Sequence, residues 1–202
     1  MSDKIKVLFL AANPTDTGPL RLGQEVREID EKLEVGTARE SFELIQHHAV
    51  RVSDLQKVLL RHQPHIVHFS GHGSMTEEIV LEDNSGKSHP VSRQAMAGLF
   101  KILKDNVRIV LLNACFSKEQ AQALHETIDY TIGTNKAVGD RAAITFSAAF
   151  YRALAFGRSV REAFELARLE LDLFNISGAD IPELFIHEGV DETEPFIKQI
   201  GG

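Results

Sequence analysis

Apolar and polar positions alternate along the chain in two periods, one typical of strands and one of helices. Runs rich in β-branched and apolar residues predict buried strands, and apolar residues three to four positions apart predict helices. The first strand is predicted over residues 4–11, and a helix over 20–34 follows it. The later predicted strands are 41–50, 65–69, 107–113, 129–135 and 183–189, with a hairpin over 77–87, and the later predicted helices are 54–61, 92–104, 118–126, 141–156 and 159–174.

The order of these elements predicts an α/β fold. Strands that alternate with helices usually form a mainly parallel central sheet with helices on both faces. No internal repeat or linker divides the chain, so we expect a single domain over residues 1–190. The last residues, 191–202, are expected to form a flexible C-terminal tail.

Composition narrows the class of protein. The chain has 202 residues, 43% of them hydrophobic, and a net charge of −7. No lysine or arginine block is present, which argues against nucleic acid as a partner. No run of about 18 apolar residues predicts a membrane span, and no cleavage pattern follows the N-terminal apolar run. The single cysteine excludes an internal disulfide and favours a cytoplasmic location.

Two predicted strand ends carry candidate chemistry. In "HFSGHGS", His72 lies just past the end of the predicted strand 65–69. In "LLNACFS", Cys115 lies just past the end of the predicted strand 107–113. Sites in open α/β sheets form outside the carboxyl ends of the strands, so we expect the two side chains to face each other. The helix after Cys115 would favour its thiolate, with His72 as general base and then acid. The backbone N–H groups of Gly73 and Cys115 are the expected oxyanion hole.

Each of these residues also has an ordinary interpretation. A lone cysteine after a buried strand is usually a small hydrophobe, and a histidine between glycines is often a turn residue. The four histidines at 62, 65, 68 and 72 lack the spacing of a metal site, so neither a metal nor another cofactor is expected. The occurrence of His72 and Cys115 just past the ends of two strands in one predicted α/β fold favours their interpretation as base and nucleophile.

"HIVHFSGHG" and "VLLNACFS" resemble the His and Cys motifs of clan CD, the caspase-like cysteine peptidases, and more narrowly of the bacterial CHAT family. "KVLFLAANPTDTGPLRLGQEVREI" and "VGDRAAITFSAAFYRALAFGRSVREAFELAR" are similar to other parts of such domains. The resemblance covers about residues 4–173. It implies a caspase-hemoglobinase-like fold and a cysteine endopeptidase acting on proteins. His72 would be the base, Cys115 the nucleophile and Gly73 an oxyanion donor. "NACFS" departs from the Ser-Ala-Cys-Glu-Thr of many members, which alters the adjoining pocket wall.

Two charged residues give opposite expectations for specificity. The position of Arg21 resembles the one at which caspases have an arginine that binds an acidic substrate side chain. The position of Asp140 resembles the one at which separase-like relatives have an aspartate that binds a basic substrate side chain. Each also has an ordinary role, because Arg21 can neutralise nearby acids and Asp140 can cap the helix predicted from 141. The match around Asp140 is the longer, which favours a basic substrate residue.

The sequence therefore predicts a cysteine endopeptidase, a regulated bacterial effector with a Cys115–His72 dyad. We expect its control to come from an activating protein partner, from loop ordering or from self-cleavage within 77–90. By analogy alone, a role in stress or antiviral defence is expected. The alternative is a catalytically silent caspase-like module that binds a protein. A flavodoxin-type phosphate-binding module is a third hypothesis, but "AANPTDTG" lacks the Gly-x-Gly pattern. Because binding alone requires neither residue, the intact pair favours the peptidase.

Overall fold

The computed structural model describes residues 4–201 and contains two sheets. The strands are β1 (Ile5–Ala11), β2 (Phe42–His47), β3 (Ile66–Ser70), β4 (His72–Gly73), β5 (Ile79–Glu82), β6 (Ser88–Val91), β7 (Ile109–Asn113), β8 (Tyr130–Thr134) and β9 (Pro182–Ile186). The α-helices are α1 (Leu22–Glu34), α2 (Asp54–His62), α3 (Arg93–Leu103), α4 (Lys118–His125), α5 (Asp140–Ala155), α6 (Val160–Leu173) and α7 (Phe196–Gly201).

The central sheet has six strands in the order β2–β1–β3–β7–β8–β9. The first five are parallel, and β9 pairs antiparallel with β8 at the edge. Every residue of β3, β7 and β8 is buried, which explains their nearly continuous apolar sequences. The mainly parallel α/β sheet predicted from the sequence is confirmed. The ends of β3 and β7 lie side by side, with Ser70 opposite Asn113.

Helices cover both faces of this sheet, as predicted. The apolar sides of α1, α5 and α6 form one core with the sheet, and those of α2, α3 and α4 form the other. In α1, Leu22, Val26, Ile29 and Leu33 lie on the buried side, as their spacing predicts. None of the helices within residues 4–201 has both the length and the apolar character needed to cross a bilayer.

The second sheet is small and antiparallel, in the order β4–β5–β6. The predicted hairpin is present, and its turn contains Gly86 with a positive φ of 77°. Strand β4 is only two residues long and contains His72. The chain thus leaves the central sheet after β3 and immediately enters the second sheet, so His72 lies where the two sheets meet.

The C-terminal segment differs from the expected flexible tail over 191–202. Residues Phe196–Gly201 form α7, and the Phe196 side chain is fully buried in the core shared by α1, α5 and α6. Ile197 and Ile200 are partly buried against the same core. Three apolar residues within five positions give this short segment one face to bury, which accounts for the helix. Residue 202 lies outside the described part of the chain.

Candidate active site

A small pocket lies at the edge of the central sheet where β3 and β7 end. The four charged or nucleophilic side chains singled out from the sequence all line it, namely Arg21, His72, Cys115 and Asp140. They come from four segments that are distant in the chain: the start of α1, the ends of β3 and β7, and the start of α5. The structure therefore brings the predicted pair and both specificity candidates to one place, in agreement with the position expected for sites in parallel sheets.

Cys115 lies between the end of β7 and the start of α4, and it is half-buried. Its Sγ accepts a hydrogen bond from the backbone N–H of Val138 at 3.4 Å. The next residue, Phe116, has a positive φ of 56°, which turns the chain sharply. A non-glycine residue in this left-handed region is uncommon and is found where the surrounding structure fixes it. The turn and the Val138 contact hold the sulfur at the pocket wall.

His72 is oriented by a backbone carbonyl. Its Nε2 lies 2.8 Å from the carbonyl oxygen of Gly18, in the loop between β1 and α1. A carbonyl oxygen only accepts hydrogen bonds, so Nε2 carries the proton and donates. In the neutral ring, Nδ1 is then the nitrogen with the free lone pair, and it is the one that can take a proton.

The hairpin β5–β6 holds the loop that supplies this carbonyl. The N–H of Thr15 donates to the carbonyl of Gly86 at 2.9 Å. The Asp16 carboxylate accepts from the N–H and the hydroxyl of Ser88 at 2.8 and 2.9 Å. Hydrogen bonds from the backbone and then the hydroxyl of Ser88 lower the pKa of Asp16, so this carboxylate remains an acceptor at neutral pH.

Gly73 packs directly against the backbone of Cys115. A Cβ at position 73 would lie 1.7 Å from the Cys115 carbonyl oxygen, so only glycine fits there. A Cβ at Gly71 would lie 2.8 Å from the carbonyl oxygen of Ala12. The glycines on either side of His72 thus allow close contacts within the chain, and the contact of Gly73 joins the two strand ends.

The two specificity candidates differ in their surroundings. Asp140 is the first residue of α5, and the capping position before it belongs to Gly139, without any side-chain cap bond. The interpretation of Asp140 as the helix cap is therefore wrong. Arg21 is exposed and also lines a larger neighbouring groove. Among residues 4–201, neither side chain forms an ion pair within 4.0 Å.

Sequence reasoning missed a buried carboxylate beside this pocket. Glu25, in α1, lines the pocket and is 2% exposed. It accepts four hydrogen bonds. The donors are the Ser70 hydroxyl, His68 Nε2 at 3.0 Å, Asn113 Nδ2 at 2.5 Å and the Ser147 hydroxyl at 2.8 Å. One signal was available, because Glu25 falls on the buried side of α1 between Leu22 and Val26.

Two groups of this network have shifted pKa values. Burial raises the pKa of Glu25, but the hydrogen bond and the electrostatic attraction from His68, together with the hydrogen bonds from Ser70 and Ser147, outweigh it, so its pKa lies below the ordinary value. Burial and then the Glu25 charge raise the pKa of Tyr151 well above its ordinary value. The Tyr151 hydroxyl therefore stays protonated, and it lies within hydrogen-bond distance of His68 Nδ1, at 3.2 Å. The Nε2–H of His68 then donates to an ionised Glu25.

No metal site accompanies the pocket in the part of the chain that the structure describes. Within residues 4–201, no group of three or more histidine, cysteine, aspartate and glutamate side chains is arranged to hold a metal ion.

Solved structures identify the class of fold. The chain aligns with gingipain R, an Arg-specific cysteine proteinase, over 95% of its length and 48% of that chain, with a TM-score of 0.66 and 12% identity. It aligns with caspase-1 from Spodoptera frugiperda over 91% of its length and 86% of that chain, with a TM-score of 0.58 and 8% identity. A secreted C11 cysteine protease from Bacteroides thetaiotaomicron aligns with 83% of this chain and 59% of its own, with a TM-score of 0.57 and 12% identity. At this identity the likeness establishes the fold, which is caspase-like.

The family follows from the sequence match. The profile of the CHAT domain matches residues 5–173, and the chain belongs to the CHAT domain family. A Roc-COR-CHAT protease from an unknown prokaryotic organism is 26% identical over 156 residues, which cover 74% of this chain and 15% of that protein. A probable protease of Gillisia limnaea is 26% identical over 153 residues, covering 75% of this chain and 27% of that protein. The match thus spans about a quarter or less of these curated relatives. The predicted resemblance to clan CD and to the CHAT family is confirmed.

Proposed function

We propose that this CHAT domain is a cysteine endopeptidase in which Cys115 is the nucleophile and His72 the base. The observation that carries the proposal is the arrangement at the two strand ends. Both side chains line one pocket, Gly73 packs on the Cys115 backbone, and the Gly18 carbonyl orients the His72 ring. The protease names of the relatives and the cysteine protease folds of the neighbours support the same class.

The reaction proceeds through an acyl-enzyme. Nδ1 of His72 takes the proton of the Cys115 thiol, and the thiolate attacks the carbonyl carbon of the scissile peptide bond. The N–H groups of Gly73 and Cys115 stabilise the resulting oxyanion. His72 then protonates the leaving amine as the C–N bond breaks, which leaves a thioester. Water, deprotonated by His72, attacks the thioester, and the thiol regains its proton as the acid product leaves.

We infer that the residue before the cut is basic and pairs with Asp140. Asp140 lines the pocket without serving as a helix cap, and Glu25 adds a second negative charge to the lining. Arg21 is the single guanidinium against these two carboxylates, and its exposed side chain also borders the larger groove. An acidic side chain would therefore meet more repulsion than attraction, while a basic one would gain an ion pair.

The first experiment is a cleavage-site profile. A peptide library is digested with the wild type and with Cys115→Ala, and the new chain ends are sequenced. Cuts that are absent with Cys115→Ala and follow lysine or arginine are the expected result. Cuts after aspartate or glutamate would transfer the specificity role to Arg21. A library left intact by the wild type with and without candidate activators, together with ordinary reactivity of Cys115, would favour the silent protein-binding module.

The biological setting belongs to the same proposal. We place the peptidase in a single domain over residues 1–190 that acts as a regulated effector in the bacterial cytoplasm. An activating protein partner or self-cleavage within 77–90 controls it. The check is the turnover of the isolated chain against the profiled peptide. A full rate without any addition, and without a change in chain length, would exclude both kinds of control.

A further inference from the structure

One buried carboxylate links the two strands that carry the proposed pair. The Oε2 of Glu25 accepts from the hydroxyl of Ser70, and its Oε1 accepts from the amide of Asn113 at 2.5 Å. Ser70 and Asn113 are the last residues of β3 and β7 and lie opposite each other in the parallel register. His72 and Cys115 each follow two positions later. Glu25 thus bridges the strands immediately before the proposed catalytic residues.

The carboxylate is itself held by two further donors. His68, in the interior of β3, donates to Oε1, and so does Ser147 of α5 at 2.8 Å. The Glu25 side chain is 3% exposed, so water does not compete for these bonds. A buried charge with four fixed donors is costly to move, because any displacement leaves a charge or a donor without its partner. The bridge is therefore a rigid one.

The position of the bridge matters because backbone pairing ends there. The last backbone hydrogen bond between the two strand segments runs from the N–H of Gly71 to the carbonyl of Asn113, at 3.3 Å. Beyond it, His72 joins the second sheet, and Phe116 turns the segment after β7 in another direction with its positive φ. The side-chain bridge thus supplements this hydrogen bond at the point where backbone pairing between the two segments ends.

We propose that Glu25 is a positioning residue for His72 and Cys115, acting through Ser70 and Asn113. The inference rests on the proposed function, since it gives the bridge a role in the chemistry of that pair. A purely structural Glu25 would contribute to folding stability alone. A positioning Glu25 sets how effectively His72 activates the thiol in molecules that are already folded, and this is the quantity to measure.

The test uses the alkylation rate of Cys115, the single cysteine of the chain, with iodoacetamide at neutral pH. The rate is measured for the wild type, His72→Ala, Glu25→Gln and the double variant. The readout is the ratio of rates with and without His72, in which the direct effect of the Glu25 charge on the sulfur cancels. We expect a ratio of about 100 in the wild type and below about 10 in the Glu25→Gln background. Glu28→Gln, one turn further along α1, should keep the wild-type ratio.

A matched serine pair covers the case in which Glu25→Gln does not fold. Ser70 and Ser159 are both buried serines whose hydroxyls form hydrogen bonds, but only Ser70 donates to Glu25, whereas Ser159 caps α6 by accepting from the N–H of Glu162. Ser70→Ala should lower the alkylation ratio about tenfold, whereas Ser159→Ala should leave it within about twofold. Thermal melting shows whether the two variants lose similar stability. Equal ratios for the two serine variants would overturn the inference.

The outcomes separate this inference from the proposed function. A wild-type ratio near one would mean that His72 does not activate Cys115, and both proposals would fall together. A large wild-type ratio that persists in folded Glu25→Gln and in Ser70→Ala would remove the positioning role and leave the peptidase intact. A ratio that collapses in Glu25→Gln and Ser70→Ala, but survives in Glu28→Gln and Ser159→Ala, is the result that supports the inference.

Discussion

Gly73→Ala is the smallest change that disturbs the contact between the two strand ends. A Cβ there would lie 1.7 Å from the carbonyl oxygen of Cys115 and 2.7 Å from its carbonyl carbon. Cβ atoms essentially never approach a heavy atom outside their own and the adjacent residues within 3.0 Å. The backbones at Gly73 and Cys115 must therefore separate by more than an ångström. A displacement of about 1 Å between reacting groups costs on the order of 100-fold in rate. We therefore expect Gly73→Ala to lose about two orders of magnitude in kcat.

The assay is hydrolysis of the peptide chosen by cleavage-site profiling, with Cys115 alkylation as a second readout. Gly98→Ala is the matched control, because Gly98 lies in α3 with open space around it. This substitution should leave kcat unchanged and stabilise the fold by about 0.5–1 kcal/mol, since alanine favours helix. A folded Gly73→Ala variant that cleaves within about threefold of the wild-type rate would refute the argument that this contact sets the geometry.

Three further predictions concern specificity, acid stability and the C-terminal helix. Asp140→Asn should lower kcat/KM for a peptide with arginine before the cut by at least about tenfold, whereas Arg21→Gln should not, as paired kinetics with arginine and glutamate peptides would reveal. The lowered pKa of Glu25 stabilises the fold above the ordinary glutamate pKa, and this contribution disappears as pH falls through the lowered value. Melting temperatures between pH 7 and about pH 3 should therefore fall less in Glu25→Gln than in the wild type; parallel curves would contradict the assignment. Phe196→Ala should cost about 3–5 kcal/mol in urea unfolding, against less than about 1 kcal/mol for the half-exposed Phe156→Ala, and equal losses would argue against a packed α7.

The sequence was sufficient for the fold and for four of the side chains that line the pocket, those of Arg21, His72, Cys115 and Asp140. The long strands and helices were predictable because each buries a face that its own residue spacing reveals, as in α1 and β7. The pocket followed because parallel strands end at one edge, which brings His72 and Cys115 together. These features depend on local pattern and on one topological rule, and neither requires knowledge of which distant side chains meet.

The missed features depend on distant contacts. The donors to Glu25 come from β3, β7 and α5, and no local pattern identifies a hydrogen bond between residues 25 and 147. A two-residue strand such as β4 has no periodicity, and it exists because β5 is present to pair with it. The short α7 is stabilised by burial of Phe196 in a core built elsewhere. The prediction that Asp140 caps the helix was wrong because α5 begins one residue earlier than predicted, at Asp140 itself.

The two members of the proposed pair are held by parts of the fold with different exposure. Cys115 follows β7, whose residues are all buried between the two helical layers. His72 takes its orientation from the Gly18 carbonyl, and the loop carrying it is tied to the hairpin through exposed bonds such as Asp16–Ser88. Exposed hydrogen bonds open more readily than those of a buried strand. Cys115 is therefore held more firmly than His72, whose orientation depends on the hairpin, and the proposed role of Glu25 is to hold the strand ends from the buried side.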